Sequence, residues 1–147
     1  MQPSCPDMDS TVRPFRPGDR EACIRIYGEA RRAAFHWMPP DQFRDQDFDR
    51  DTAGEVVLVA EKGGRILGFV SGRDRFVHTL FVDPPLRGQG LGSLLLDSLL
   101  SRIGTPATLR CVLGNLPARL FYEKRGWAPA GEGRDAMGPW ILYRKFR

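Results

Sequence analysis

Residues 79–100 read TLFVDPPLRGQGLGSLLLDSLL, and the reading of this stretch decides the fold. An apolar run stops at Pro84-Pro85, glycines follow at 88, 90 and 92, and a leucine-rich run begins. Glycine costs about 1 kcal/mol relative to alanine inside a helix, so three of them where a helix starts imply a use for bare backbone. Leu95, Leu96, Leu99, Leu100 and Ile103 fall on one helical face, and Gly104 with Pro106 stops the helix. Strand, glycine-rich turn and helix N-terminus together make a phosphate cradle. The first helical N–H groups lack intrahelical partners and carry the positive end of the dipole. Arg87, at the entrance, adds a full charge and a donor fork.

Upstream, TVRPF (11–15) predicts a strand closed by the Pro-Gly turn at 17–18, and Asp19 is placed to cap a helix through Phe35. Residues 36–52, HWMPPDQFRDQDFDRDT, predict a loop or broken helix. EVVLVAE (55–61) reads as a strand buried on both faces, paired as a hairpin with ILGFVSG (66–72) through KGGR. FVHTLFV (76–82) is a further strand. Downstream, ATLRCVL (107–113) follows a helical crossover, so it is expected to lie parallel to 76–82. A short helix with Pro117 in its first turn ends at Gly126, and GPWILYRKF (138–146) reads as the final strand. The order β-α-(α)-β-β-β-α-β-α-β predicts a single α/β domain over 11–147, helices flanking a mixed sheet, after a disordered lead-in at 1–10.

The chain has 147 residues, enough for one core without staples. Its three cysteines show no CxxC spacing, which argues against a disulfide framework or a metal site and for a reducing, cytoplasmic setting. No leader-like segment opens it, and its longest leucine run, broken by Asp97, is too short to span a bilayer. The net charge of +4 would suit an anionic partner, but the arginines are scattered beside acids, as in RDQDFDRD. That pattern reads as a solvated surface rather than a nucleic-acid face.

Three phosphate loops compete for residues 87–93. A Walker loop is excluded because no lysine follows Gly92. The dinucleotide fingerprint fits poorly, since Ser93 takes its third glycine and no acid follows on the next strand. Glycines that merely permit close helix–sheet packing are the plain alternative. There remains Arg87-Gly88-Gln89-Gly90-Leu91-Gly92, followed later by Asn115, Ala118, Phe121-Tyr122-Glu123 and Gly126-Trp127. Both signatures, in this order, resemble the GCN5-related N-acetyltransferase (GNAT) superfamily over most of the chain.

The resemblance implies the acyl-CoA N-acyltransferase fold: a mostly antiparallel sheet whose central parallel pair splays. It implies acetyl-CoA as cosubstrate, its diphosphate on residues 87–92 with the Ser93 amide, and its acyl arm along Leu80, Phe81 and Val82, with Asn115 nearby. Tyr122 is the implied proton donor to the departing thiolate. His78, on the strand that meets the thioester, is a candidate base, though water-mediated deprotonation or a histidine packed near the core is also open. Phe35, Trp37 and Phe43 are candidate walls of an amine site, with Asp41 or Asp45 to attract a cation. Each aromatic, taken singly, equally suits loop packing.

One departure bears on the acceptor. Ribosomal-protein acetyltransferases of the superfamily carry glutamate in a T-L-E-V-R-x-x-N strand, whereas this chain has Arg110 there. A small-molecule amine is therefore the expected acceptor, by direct attack. Acetylation of a protein or peptide amine and a non-catalytic acetyl-CoA sensor are the rivals. Homodimers are common in the superfamily, so that assembly is open to this chain.

Overall fold

A computed structural model describes residues 10–147; the expected lead-in, Ser10 apart, lies outside the described residues. In chain order the elements are β1 (Thr11–Pro14), α1 (Arg20–Ala34), α2 (Asp47–Thr52), β2 (Val56–Lys62), β3 (Arg65–Arg73) and β4 (Phe76–Val82). They continue with α3 (Leu91–Ile103), β5 (Ala107–Val112), α4 (Leu116–Lys124), β6 (Ala128–Asp135) and β7 (Gly138–Lys145). The strands form one sheet in the order β1-β2-β3-β4-β5-β7-β6. All neighbours run antiparallel except β4 and β5.

That parallel pair positions the site. Only Phe76↔Thr108 and Val77↔Leu109 are in register, so the two strands part after Val77. On the β3 side, Ser71 faces Thr79 and Gly72 faces Val77, which leaves His78 as the extra residue of a β-bulge. A bulge bends its strand and re-aims a side chain, and here it falls where β4 leaves β5.

Two layers of helix cover the sheet. The apolar face of α3 (Leu91, Leu95, Leu96, Leu99, Leu100) packs with Leu58, Val70, Leu109 and Tyr143, and α4 adds Phe121 and Tyr122. On the opposite face Cys23, Ile26 and Tyr27 of α1 and Phe48 of α2 close over Val59, Ile66 and Phe69. Each large apolar side chain so buried contributes about 1.5–3 kcal/mol. The strand buried along nearly its whole length is β3, from Ile66 to Gly72; β2 is fully buried only at Leu58–Ala60. The reason is position, since β3 lies beneath both layers and β2 approaches the sheet edge.

Two sequence-based expectations need correction. The C-terminal strand is paired with a further one, β6 (APAGEGRD), whose glycines, proline and almost complete exposure leave no alternation to read. It forms because β7 offers it a second edge. Asp19 does not cap α1 with its side chain. Its carboxylate accepts from Arg13 Nη1 (2.8 Å), Arg13 Nη2 (2.9 Å) and the Arg16 amide (2.8 Å), tying β1 to the turn before α1. Among the described residues no helix is long and apolar enough to cross a membrane.

Candidate functional site

Where β4 and β5 part, two cavities open and meet. One, of about 380 Å³, runs over the C-terminal half of β4 to the glycine turn. The other, of about 680 Å³, lies toward α1, α2 and the end of the β6–β7 hairpin. Leu80, Phe81, Asn115, Ala118 and Tyr122 line both. That shared wall is the one place where groups bound in the two cavities can meet.

The smaller cavity takes its character from the turn. Gly88 (φ 81°) and Gly90 (φ 86°) hold left-handed conformations that suit glycine, and a Cβ on Gly88 would stand in open space. Gly90 is the N-cap of α3, its carbonyl accepting from the Leu94 amide at 3.1 Å. The amides of residues 88–93 donate to no acceptor among the described residues. Gly92 is needed for another reason. A Cβ there would meet the Phe121 ring at 3.2 Å, so this glycine lets α3 and α4 pack closely. Arg87 is exposed, and among the described residues its side chain bonds only through Nε, to the Pro84 carbonyl at 3.4 Å.

A second cation, Arg125, was missed in the sequence. Its guanidinium lies 3.8 Å over the Phe121 ring and its Nε donates to Ser93 Oγ at 2.7 Å. Arg87 and Arg125 line this cavity and no acid does. Free amides flanked by two arginines fit a diphosphate.

The open edge of β4 completes this cavity. The Asp83 amide donates to the Leu67 carbonyl at 2.9 Å, so alternation turns the main-chain groups of Val82 and Leu80 away from β3, toward the gap left by β5. Leu80, Phe81 and Val82 all line the cavity. Gln89 lies within the turn without lining it, while Asn115 caps α4, its Oδ1 accepting from the Ala118 amide at 3.4 Å.

On the shared wall Tyr122 packs edge-on to Phe121 (5.3 Å) and Trp127 (6.0 Å). Its hydroxyl makes no hydrogen bond to any described residue. Burial, and secondarily the Cys111 thiol, push the phenol above its ordinary value, so it keeps its proton at neutral pH. It is a donor in reserve. The Tyr143 hydroxyl, by contrast, is occupied, donating to Glu123 Oε2.

His78 lines the larger cavity with its side chain 38% exposed. Its Nδ1 is 2.9 Å from Oε2 of Glu55, whose other oxygen is buried without a partner. A carboxylate only accepts, so Nδ1 carries the hydrogen of this bond. Glu55 was invisible in the sequence because it lies 23 residues from its partner.

Phe35 and Phe43 are buried and wall the larger cavity. Trp37 does not: it lines a separate shallow pocket and covers Gly114, where a Cβ would meet its ring at 3.0 Å. Asp41 and Asp45 do not line the larger cavity either. Its acids are Asp51 and Asp135, and its cations are Arg31, Arg50 and Arg110.

A sequence model described as the acetyltransferase (GNAT) family matches residues 20–127. An uncharacterised N-acetyltransferase of Escherichia coli K12, YafP, is 26% identical over 92% of this chain and 95% of its own length. The phosphinothricin N-acetyltransferase of Alcaligenes faecalis is 34% identical over 63% of this chain and 54% of its own. Among solved structures, the apo form of YjaB from Escherichia coli superposes with a TM-score of 0.80 at 21% identity, over 92% of this chain and 96% of that one.

Proposed function

Because this chain belongs to the acetyltransferase (GNAT) family and is an acetyl-CoA-dependent N-acetyltransferase, we propose that residues 11–147 acetylate the amine of a small molecule by direct attack. The observation that carries the reading is the pair of cavities joined at one wall that includes Tyr122, whose hydroxyl bonds to no described residue. The larger cavity, about 680 Å³ with aromatic walls, suits a small acceptor better than an open acidic groove would. A relative named for N-acetylation of phosphinothricin, a small molecule, supports the same side.

Acetyl-CoA supplies the acetyl thioester, whose C–S bond is exchanged for a C–N bond to the acceptor. Residues 87–93 and Arg125 hold its diphosphate, and the open edge of Leu80–Val82 aligns its arm and offers N–H groups to the carbonyl oxygen. His78 Nε2 takes the proton that the acceptor nitrogen gives up, with Glu55 fixing the ring. Tyr122 delivers a proton to the sulfur as it leaves. Tyr122 lies on the wall the two cavities share, and His78 lines the larger one.

A screen of amines against acetyl-CoA, read by release of free thiol, tests the reading. Turnover with small amines and none with peptides is expected. Turnover with peptides alone would transfer the assignment to the rival acceptor class.

A further inference from the structure

Within the larger cavity the cations are not alike. Arg31 Nη1 is held by Asp47 at 2.9 Å, and its guanidinium stacks on the Tyr27 ring. Arg50 pairs with Asp51 at 2.9 Å and Asp47 at 3.3 Å. Arg110, on the part of β5 that has left β4, has no acidic partner among the described residues. The nearby acid Asp135 accepts from the Met137 amide at 2.8 Å and forms no ion pair with Arg110.

Arg110 instead lies with its guanidinium 4.4 Å over the Trp140 ring. That platform is fixed from below: a Cβ on Gly133 of the neighbouring β6 would meet Trp140 at 2.2 Å, so the indole lies flat where only glycine fits. Stacking on an aromatic face holds the planar fork while its N–H edges stay free. A free, oriented guanidinium in an acceptor cavity whose other arginines are neutralised is a receptor for an oxyanion.

Resting on the small-amine reading above, we propose that Arg110 on Trp140 binds a carboxylate of the acceptor, making the substrates amino acids rather than polyamines or aminoglycosides. Of the cavity's two acids, Asp51 is committed to Tyr27 and Arg50, and Asp135 accepts one bond from the Met137 amide.

The test compares amino acids with their own carboxamides as acceptors, in the wild-type protein and in Arg110→Met, Arg110→Lys and Trp140→Leu. The ratio of acid to amide, taken between proteins, cancels the different basicity of the two amines. A charge-assisted pair of about 1.5–3 kcal/mol predicts a loss of roughly 10–150-fold in kcat/KM for acids in Arg110→Met, with amides little changed. Arg110→Lys and Trp140→Leu should fall between, since one loses the fork and the other the platform. Equal losses for acids and amides, or none, would overturn the subsite. Calorimetry with acetyl-CoA on the wild-type protein separates the two levels. Binding without preference for acids overturns this inference alone, and no binding overturns the reading beneath it as well.

Discussion

The two proton transfers proposed for Tyr122 and His78 can be tested on different terms. Tyr122→Phe removes only a hydroxyl that bonds to no described residue, so packing against Phe121 and Trp127 survives. General acid catalysis is worth about 10²–10⁴-fold, and kcat should fall within that range while acetyl-CoA affinity holds. Steady-state kinetics beside calorimetry checks it; an unchanged kcat would remove Tyr122 from the chemistry. A positioned general base is worth a similar factor, so kcat/KM should fall about 10²–10⁴-fold in His78→Gln. Glu55→Gln, which leaves the imidazole in place, should cost less. A rate unaltered in His78→Gln would assign deprotonation to water. Of these candidates the sequence singles out Tyr122, through its place in FYE, and His78, through its strand. Glu55 and the bulge that turns His78 toward it are products of strand register across β2, β3 and β4, which no local pattern encodes.

At the level of elements, RGQGLG mixes two uses of glycine that the sequence cannot separate. Gly88 serves the turn: its φ of 81° costs an L-residue roughly 1–2 kcal/mol, and nothing lies within 4 Å of its missing Cβ. In Gly88→Ala the exposed turn relaxes out of this conformation and binding must restore it, weakening acetyl-CoA affinity about 5–30-fold with kcat nearly intact. Gly92 serves packing, and Gly92→Ala pushes Phe121, and with it Tyr122, off position. There kcat should drop more than affinity, and the opposite split between the two variants would show the roles assigned wrongly. α1, α3 and every strand but β6 were legible from apolar periods or runs and α4 from Pro117 and Gly126, while α2 forms within 36–52, which reads as a loop or broken helix. β6, exposed and glycine-rich, has no such period or run. Arg125 escaped notice for a related reason: its meaning comes from Ser93, 32 residues away across two helices.

Across the whole molecule, the sheet is two antiparallel blocks, β1–β4 and β5–β7, joined directly by two residue pairs. Such a seam is weak by itself, and both cavities open along it. The cradle and open strand edge belong to the first block and its crossover helix α3, whereas Asn115, Tyr122 and Arg125 belong to the second. That division also explains why the sequence marked the cofactor side, written in two contiguous motifs, better than the acceptor side. The acceptor walls gather Tyr27, Asp51, Arg110 and Trp140 from four distant elements, while Trp37, which looked equally suitable, is drawn off to cover Gly114. A ligand spanning both blocks should therefore stabilise the fold as one unit. At a hundred times its dissociation constant acetyl-CoA adds about 2.7 kcal/mol, which for a chain of this size raises Tm by roughly 5–10 °C. A thermal scan should show a single transition moving upward, and hydrogen exchange should slow at the amides of Leu80, Val82 and residues 88–93 together. Protection at 88–93 without Leu80 and Val82 would mean that the diphosphate binds but the acyl arm does not follow β4, and Tyr122 would then have no sulfur to protonate.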